Sequence, residues 1–494
     1  MNEHEIDEHI ARIRRLGNDD EHVEAKAATQ KLPKGIWESV SAFANTNGGL
    51  VLLGLDEANG FAPAQGFDPR ATLDRLRSKL DGAPGATPAV SPVPTHDLGT
   101  HNLDGTPVVW LWIAPMLTDL TRTMPCHVTI QGIERGSYKR VGDADKHLSP
   151  YEVYLLQSRH REDHTDRETV PGRTIDDLSP EAVRSTLDHL RRTSRALTGL
   201  TDNDLAAGLA RVNAMDGGVP TLAGYLALGV FPQQEFPQLT IDVAVHLGTA
   251  KSTDPHARFK DRKVCDGPLP VAIRDAVDAI AGKLGTRRVV TGVGGTDVPE
   301  IPLEVLREAV TNAVMHRDYS TRSRGQQVAV DIYPDRVEVT SPGGFWGTRT
   351  KDNVTEGQSS SRNGDLVRLL TAVPLPGENA TVAENQGSGV PLMVASMRKA
   401  GLPAPDYSRS DIDKVVLRLD RRTQSPSPVM TKAQQEVLDH LDDFEAKSIH
   451  DLAQATGRTP AALRPVLREL VDTGAVEATA PPQSRNRRYR LGHA

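Results

Sequence analysis

Cysteine is nearly missing from this 494-residue chain, where Cys126 and Cys265 stand far apart. Two isolated thiols build neither a disulfide framework nor a CxxC metal site, so reduced intracellular thiols are expected. Aromatic residues are scarce at 4%. Cores should therefore rest on Leu, Val, Ile and Ala, and stacking on aromatic platforms is not expected to dominate any binding mode. No uninterrupted apolar run of about 18 residues suggests a membrane span, and the opening MNEHEIDEHIARIRR lacks the apolar core of a secretory signal. The expected location is the cytoplasm, with no membrane partner. No GxxxxGK[ST] loop occurs, which argues against P-loop-driven unwinding. A net charge of -7 argues against a uniformly basic coat, while leaving room for a local basic patch.

What is present is a globular composition, 38% hydrophobic and 25% charged. At roughly 150 residues per domain the length implies about three domains. The charged, aperiodic stretch His160 to Val170 and the RRTQSPSP run from Arg421 to Pro428 read as linkers. They divide the chain into residues 1–160, a connecting α/β region over 171–290, a domain over 291–420 and a C-terminal module over 429–494. The expected class is α+β and multidomain.

The most informative stretch is Ile301 to Ser320, IPLEVLREAVTNAVMHRDYS, where Glu308, Asn312 and His316 recur every four residues. That spacing stacks an acid, an amide and an imidazole on one helical face, while Leu303, Leu306, Val310 and Val314 mark another. The same pattern also describes a solvated helix face. Two downstream features favour a site. Val328, Val330 and Ile332 alternate, then Val337 and Val339, as two strands joined at Tyr333-Pro334-Asp335 and ending in Ser341-Pro342-Gly343-Gly344. Farther on, Gly387-Ser388-Gly389 opens a further helical segment. Glycines let backbone amides approach a ligand, and a helix N-terminus favours an anion. With a triphosphate as that anion, Asn312 would offer its amide oxygen to Mg²⁺, Glu308 would orient water as a base, and His316 would close the phosphate side.

The order Glu308, Asn312, His316, then Gly343-Gly344, then Gly387-Ser388-Gly389, with the HRDYS string and Ser361-Arg362-Asn363, resembles the GHKL ATPase fold as found in RecG-like regulators. The resemblance implies an α/β sandwich binding ATP with Mg²⁺. It departs from the pattern at Ser341-Pro342-Gly343-Gly344, where GHKL proteins carry an adenine-reading aspartate ahead of the glycines. Thr221-Leu222-Ala223-Gly224 and Phe231-Pro232-Gln233 resemble the central region of the same regulators.

The N-terminal third carries Glu24-Ala25-Lys26, the string SAFANTNGG from Ser41 to Gly49, Leu53-Gly54-Leu55-Asp56 and GSYKRVGDADKHLSPYEVYLL. These resemble the Schlafen-type AlbA-like domain, an α/β fold described as DNA-binding. That resemblance implies two roles, phosphate contact through Lys26, or metal-dependent nuclease chemistry by clustered carboxylates including Glu24 and Asp56. After the second linker, three short helical segments and a terminal ribbon resemble a winged helix, with Arg464 and Arg468 on the groove-entering helix and Arg485, Arg487 and Arg488 at the wing. Pro465 interrupts that helix's donor series. The combined expectation is a dimeric, DNA-binding transcriptional regulator whose nucleotide state modulates DNA affinity. The alternative is a Schlafen-like nuclease of defence or stress response, gated by the ATPase-like domain.

Overall fold

A computed structural model describes residues 1–421 except 30, 83–86, 120, 160, 162, 253–257, 292–293, 358–359, 376–379 and 384–388, and residues 432–491 except 439, 442–445, 473–475 and 480–486. The chain divides into two compact units, Met1–Arg422 and Thr423–Ala494. Among the described residues, no helix is long and apolar enough to cross a membrane.

The first unit opens with helix Glu3–Leu16, begun by a reciprocal Asn2–Glu5 capping box and ended by Gly17 in the left-handed region at φ 81°. Its Ile6, Ile10 and Ile13 are buried against Leu50, Leu52 and Val108, at roughly 2 kcal/mol of transfer free energy per side chain. They cover one face of a four-stranded sheet in the order Val23–Lys26, Gly49–Leu53, Thr106–Ile113, His96–Leu103. The first pair is parallel and the others antiparallel. Strand alternation sends Val51 and Leu53 to the opposite face, where Phe43 of helix Ile36–Asn45 packs on them.

The SAFANTNGG string has a structural explanation. Ser41 and Asn45 lie one turn apart on the buried side of helix Ile36–Asn45. Asn45 Nδ2 donates to the carbonyls of Cys126 and Tyr138, and its Oδ1 accepts from the Cys126 amide. Ser41 Oγ donates to the Cys126 carbonyl and accepts from the Tyr138 amide. Gly48 turns the chain at φ 74°, and a Cβ there would lie 2.6 Å from the Ile113 carbonyl oxygen.

The remainder of this unit is built on a five-stranded sheet, ordered Asp261–Cys265, Ile241–Val245, Val328–Ile332, Arg336–Pro342, Lys414–Asp420. Ile241–Val245 runs parallel to Val328–Ile332, and the other neighbours are antiparallel. Helix Leu303–Met315 packs against strand Arg336–Pro342 and lies against helices Leu269–Ala281 and Gly389–Lys399. A boundary near residue 290 follows from the sequence, but one sheet and one hydrophobic core, from Val170 to Leu419, run across it. The charged stretch after residue 160, expected as a linker, is docked in its described part. Asp166 is buried, its Oδ2 accepts the amides of Asp365 and Leu366, and Arg167 pairs with Asp365 at 2.8 Å. Lack of apolar periodicity suggested a free segment, whereas its charges are its contacts.

The second unit contains helices Lys432–Leu438, Ile449–Thr456 and Pro460–Asp472 and a three-stranded antiparallel sheet ordered Lys447–Ser448, Arg488–Leu491, Val476–Ala478. Val437, Leu452, Leu463, Leu467 and Tyr489 make its core. Helix Pro460–Asp472 continues through Pro465, which is exposed.

Candidate functional site

Helix Leu303–Met315 buries Val305, Leu306, Ala309, Val310, Ala313 and Val314. Leu303, expected on the packed face, is exposed at the first helical position. Glu308 and Asn312 on the flank, and His316 at the C-cap, line a cavity of about 190 Å³. Asn312 Nδ2 donates to Glu308 Oε1 at 2.9 Å. The bond uses the amide's donor and leaves its oxygen as an acceptor. Burial, with the nearby Arg362 guanidinium, lowers the His316 pKa to about 4. The ring is therefore neutral at physiological pH, a hydrogen-bonding group without charge.

Helix Gly389–Lys399 meets this flank at its N-terminus. A Cβ on Gly389 would overlap the Glu308 carboxylate, so only glycine permits the approach. Gly387 and Ser388 lie outside the described residues. Gly344 lines the cavity and donates its amide to the Ile412 carbonyl at 3.0 Å. Gly343, at φ 82°, donates to the Asp413 carbonyl, and a Cβ there would lie 2.5 Å from Asp318 Cβ. Both glycines thus let the turn fold against the segment leading into strand Lys414–Asp420. Ser341 also lines the cavity, and its Oγ donates to the Ala313 carbonyl at 2.7 Å, binding strand to helix.

The HRDYS string continues this framework. Arg317 is buried and donates to the carbonyls of Asp318, Ser323 and Gln326, while Tyr151 donates to Asp318 Oδ2 at 2.7 Å. Sequence reasoning missed the apolar wall of the cavity. Phe345, Trp346 and Tyr407 line it, concentrating rings from a chain that is 4% aromatic. Composition averaged over the chain concealed that concentration, and Phe345-Trp346 directly after the Gly343-Gly344 turn was the available signal.

The N-terminal candidates are arranged differently. Glu24 is buried, with Oε1 2.5 Å from Lys26 Nζ and Oε2 2.8 Å from Arg140 NH1. Both oxygens and the Lys26 ammonium are thus engaged with each other or with Arg140. Burial and then Glu24 raise the neighbouring Asp19 pKa to about 7. Asp56 is half-buried beside a 3-10 turn. Among the described residues, neither Glu24 nor Asp56 falls in a group of three residues able to hold a metal. Such a group does form from Glu152, Asp411 and Asp413, but Lys139 Nζ sits 2.5 Å from Glu152 and 2.6 Å from Asp411. In the second unit, Arg464 and Arg468 are exposed, Arg487 lies over the Tyr489 ring and Arg488 donates to the Ala446 carbonyl. Arg485 lies outside the described residues.

Family comparisons bear on both halves of the first unit. The Schlafen, AlbA_2 family model matches residues 19–149, and the model described as "Putative ATP-dependent DNA helicase recG C-terminal" matches residues 325–419. The chain carries an AlbA_2 domain and a RecG C-terminal ATPase-like domain. Helix Leu303–Met315 precedes the second match, so Glu308 and Asn312 rest on geometry. No curated protein matches the chain. Among solved structures, the DIP2311 protein from Corynebacterium diphtheriae is 21% identical, with 95% of this chain and 91% of that one covered and a TM-score of 0.39. The N-terminal domain of a RecG-related protein from Nitrosomonas europaea is 22% identical over 29% of this chain and 92% of its own, with a TM-score of 0.22. The AlbA_2 and ATPase-like domains together point to a nucleic-acid-related function that involves nucleotide binding.

Proposed function

We propose that this protein is a DNA-binding transcriptional regulator that binds ATP in the cavity beside helix Leu303–Met315, and that nucleotide occupancy changes its affinity for DNA. The observation that carries the reading is the meeting of Glu308 and Asn312 with Gly389, at the start of an 11-residue helix, around one cavity with an aromatic wall. The helix N-terminus favours phosphate, and Phe345, Trp346 and Tyr407 suit the flat face of a base.

Mg²⁺ fits the donor set, because no described residue donates to Asn312 Oδ1 and the ion takes few protein ligands, leaving other positions to phosphates and water. When bound it would offset phosphate charge. Asn312 would hold it, Glu308 would accept a proton from attacking water, and neutral His316 would hydrogen-bond on the phosphate side. Ser341, already bonded to Ala313, stands in place of the adenine-reading aspartate, so base selection falls to the aromatic wall and backbone groups.

DNA contact is assigned to the second unit read as a winged helix, with exposed Arg464 and Arg468 on helix Pro460–Asp472 and Arg488 on the ribbon. Lys26 and the AlbA_2 domain would add a second contact, and a dimer would match two-fold DNA half-sites. Calorimetric titration with ATP and Mg²⁺ tests the cavity. Wild type is expected to bind with one site per chain, and Asn312→Ala to lose the Mg²⁺-dependent part. Equal binding by both proteins would remove Asn312 from the site.

A further inference from the structure

A second cavity, of about 470 Å³, lies on the other side of Trp346. Arg159, Arg161, Arg167 and Arg362 line it together with Asp163, Asp166 and Asp365. The acids are already bonded. Asp166 accepts two backbone amides, Asp163 accepts the Thr165 amide, and Asp365 takes Arg167 and Asn213. The buried cations are less well served. Arg362 is 4% exposed, stacks over Trp346 at 4.5 Å, and among the described residues its Nε and NH1 have no hydrogen-bond partner. Its NH1 lies 3.4 Å from Asp318 Oδ1, a carboxylate already held by Ser320 and Tyr151. Arg159 is 6% exposed and, among the described residues, donates to the carbonyls of Leu117, Phe345 and Arg349. Burial and then Arg362 hold its pKa down to about 10, so the two guanidiniums feel one another. A pair of buried like charges with unfilled donors is costly unless an anion completes it.

We propose that this cavity binds a small ligand through a terminal phosphate dianion, with the Arg362 fork as the principal contact and Arg159 and Arg161 as supporting charge. The guanidinium fork matches phosphate oxygens, and the dianion adds negative charge beside two buried cations, one of which, Arg362, is already paired with Asp318. Arg362 and Arg159 are too recessed for a duplex backbone to reach, which favours a small phosphomonoester or inorganic phosphate. The volume accommodates a mononucleotide-sized body behind the phosphate. The site is separate from the ATP cavity and does not depend on it, although Trp346 walls both.

The full chain is titrated calorimetrically with inorganic phosphate, then with a sugar phosphate, at fixed ionic strength, with chloride as the control anion. Saturable binding of one anion per chain is expected. Arg362→Gln should weaken it by roughly tenfold or more, the usual effect of losing a charge-assisted hydrogen bond. Arg161→Glu, at the exposed rim, should weaken it several-fold without disturbing the fold, and it decides the matter if Arg362→Gln does not fold. Asn312→Ala should leave phosphate binding unchanged. Tighter binding of the sugar phosphate identifies a metabolite ligand, and equal binding identifies the free anion. No saturable binding in wild type, undiminished binding in the folded arginine variants, or loss in Asn312→Ala would overturn the proposal.

Discussion

Glu308 acts as the base in the proposed reaction and also accepts a hydrogen bond from Asn312, so its removal should affect chemistry far more than binding. Glu308→Ala is expected to lower ATP turnover by roughly 100-fold or more while changing ATP affinity only a few-fold, measured by phosphate release and calorimetry. Gly389→Ala should do the reverse, since its Cβ would strike the same carboxylate and displace the helix N-terminus; ATP affinity should drop before turnover can be measured. A third residue reports on the buried charges of the AlbA_2 domain. Asp19 has its pKa raised to about 7 by burial and by Glu24, above its unfolded value near 3.8. The folded state therefore binds more protons than the unfolded state between those values, and this residue's contribution falls as pH rises from about 4 to 7. Asp19→Asn should remove that part of the pH dependence and raise stability at pH 8 relative to wild type, as read by urea unfolding at several pH values. An unchanged pH profile would mean that Asp19 ionises normally.

Elements reveal which features of the sequence were legible. Helix Leu303–Met315 was readable because its apolar period is strong, and the hairpin after it because its strands alternate. The purpose of SAFANTNGG was not readable, since Ser41 and Asn45 act on Cys126 and Tyr138, more than 80 residues away. Asn45→Ala leaves two carbonyls and an amide without that partner inside the domain and should cost about 2 kcal/mol or more in urea unfolding. The strands of the five-stranded sheet were individually visible, but the parallel pairing of Ile241–Val245 with Val328–Ile332 joins segments that sequence reasoning had assigned to different regions. Local periodicity carries no information about such a partner. The docked segment near Asp166 was hidden for the opposite reason, because its ordering contacts are ionic and aperiodic.

At the scale of the molecule, two compact units and two matched domains within the first frame the proposed division of labour. A chain ending at residue 422 is expected to keep ATP binding and to lose most DNA affinity, because Arg464, Arg468 and Arg488 go with the second unit. The central claim is coupling between the two activities. It is tested most directly by the dissociation constant for a duplex selected from a random pool, measured by gel shift with and without ATP and Mg²⁺, for wild type and Asn312→Ala. Coupling predicts a change of about 5-fold or more in wild type, the lower end of typical allosteric effects, and none in Asn312→Ala. The same dissociation constant for wild type in both conditions would contradict it.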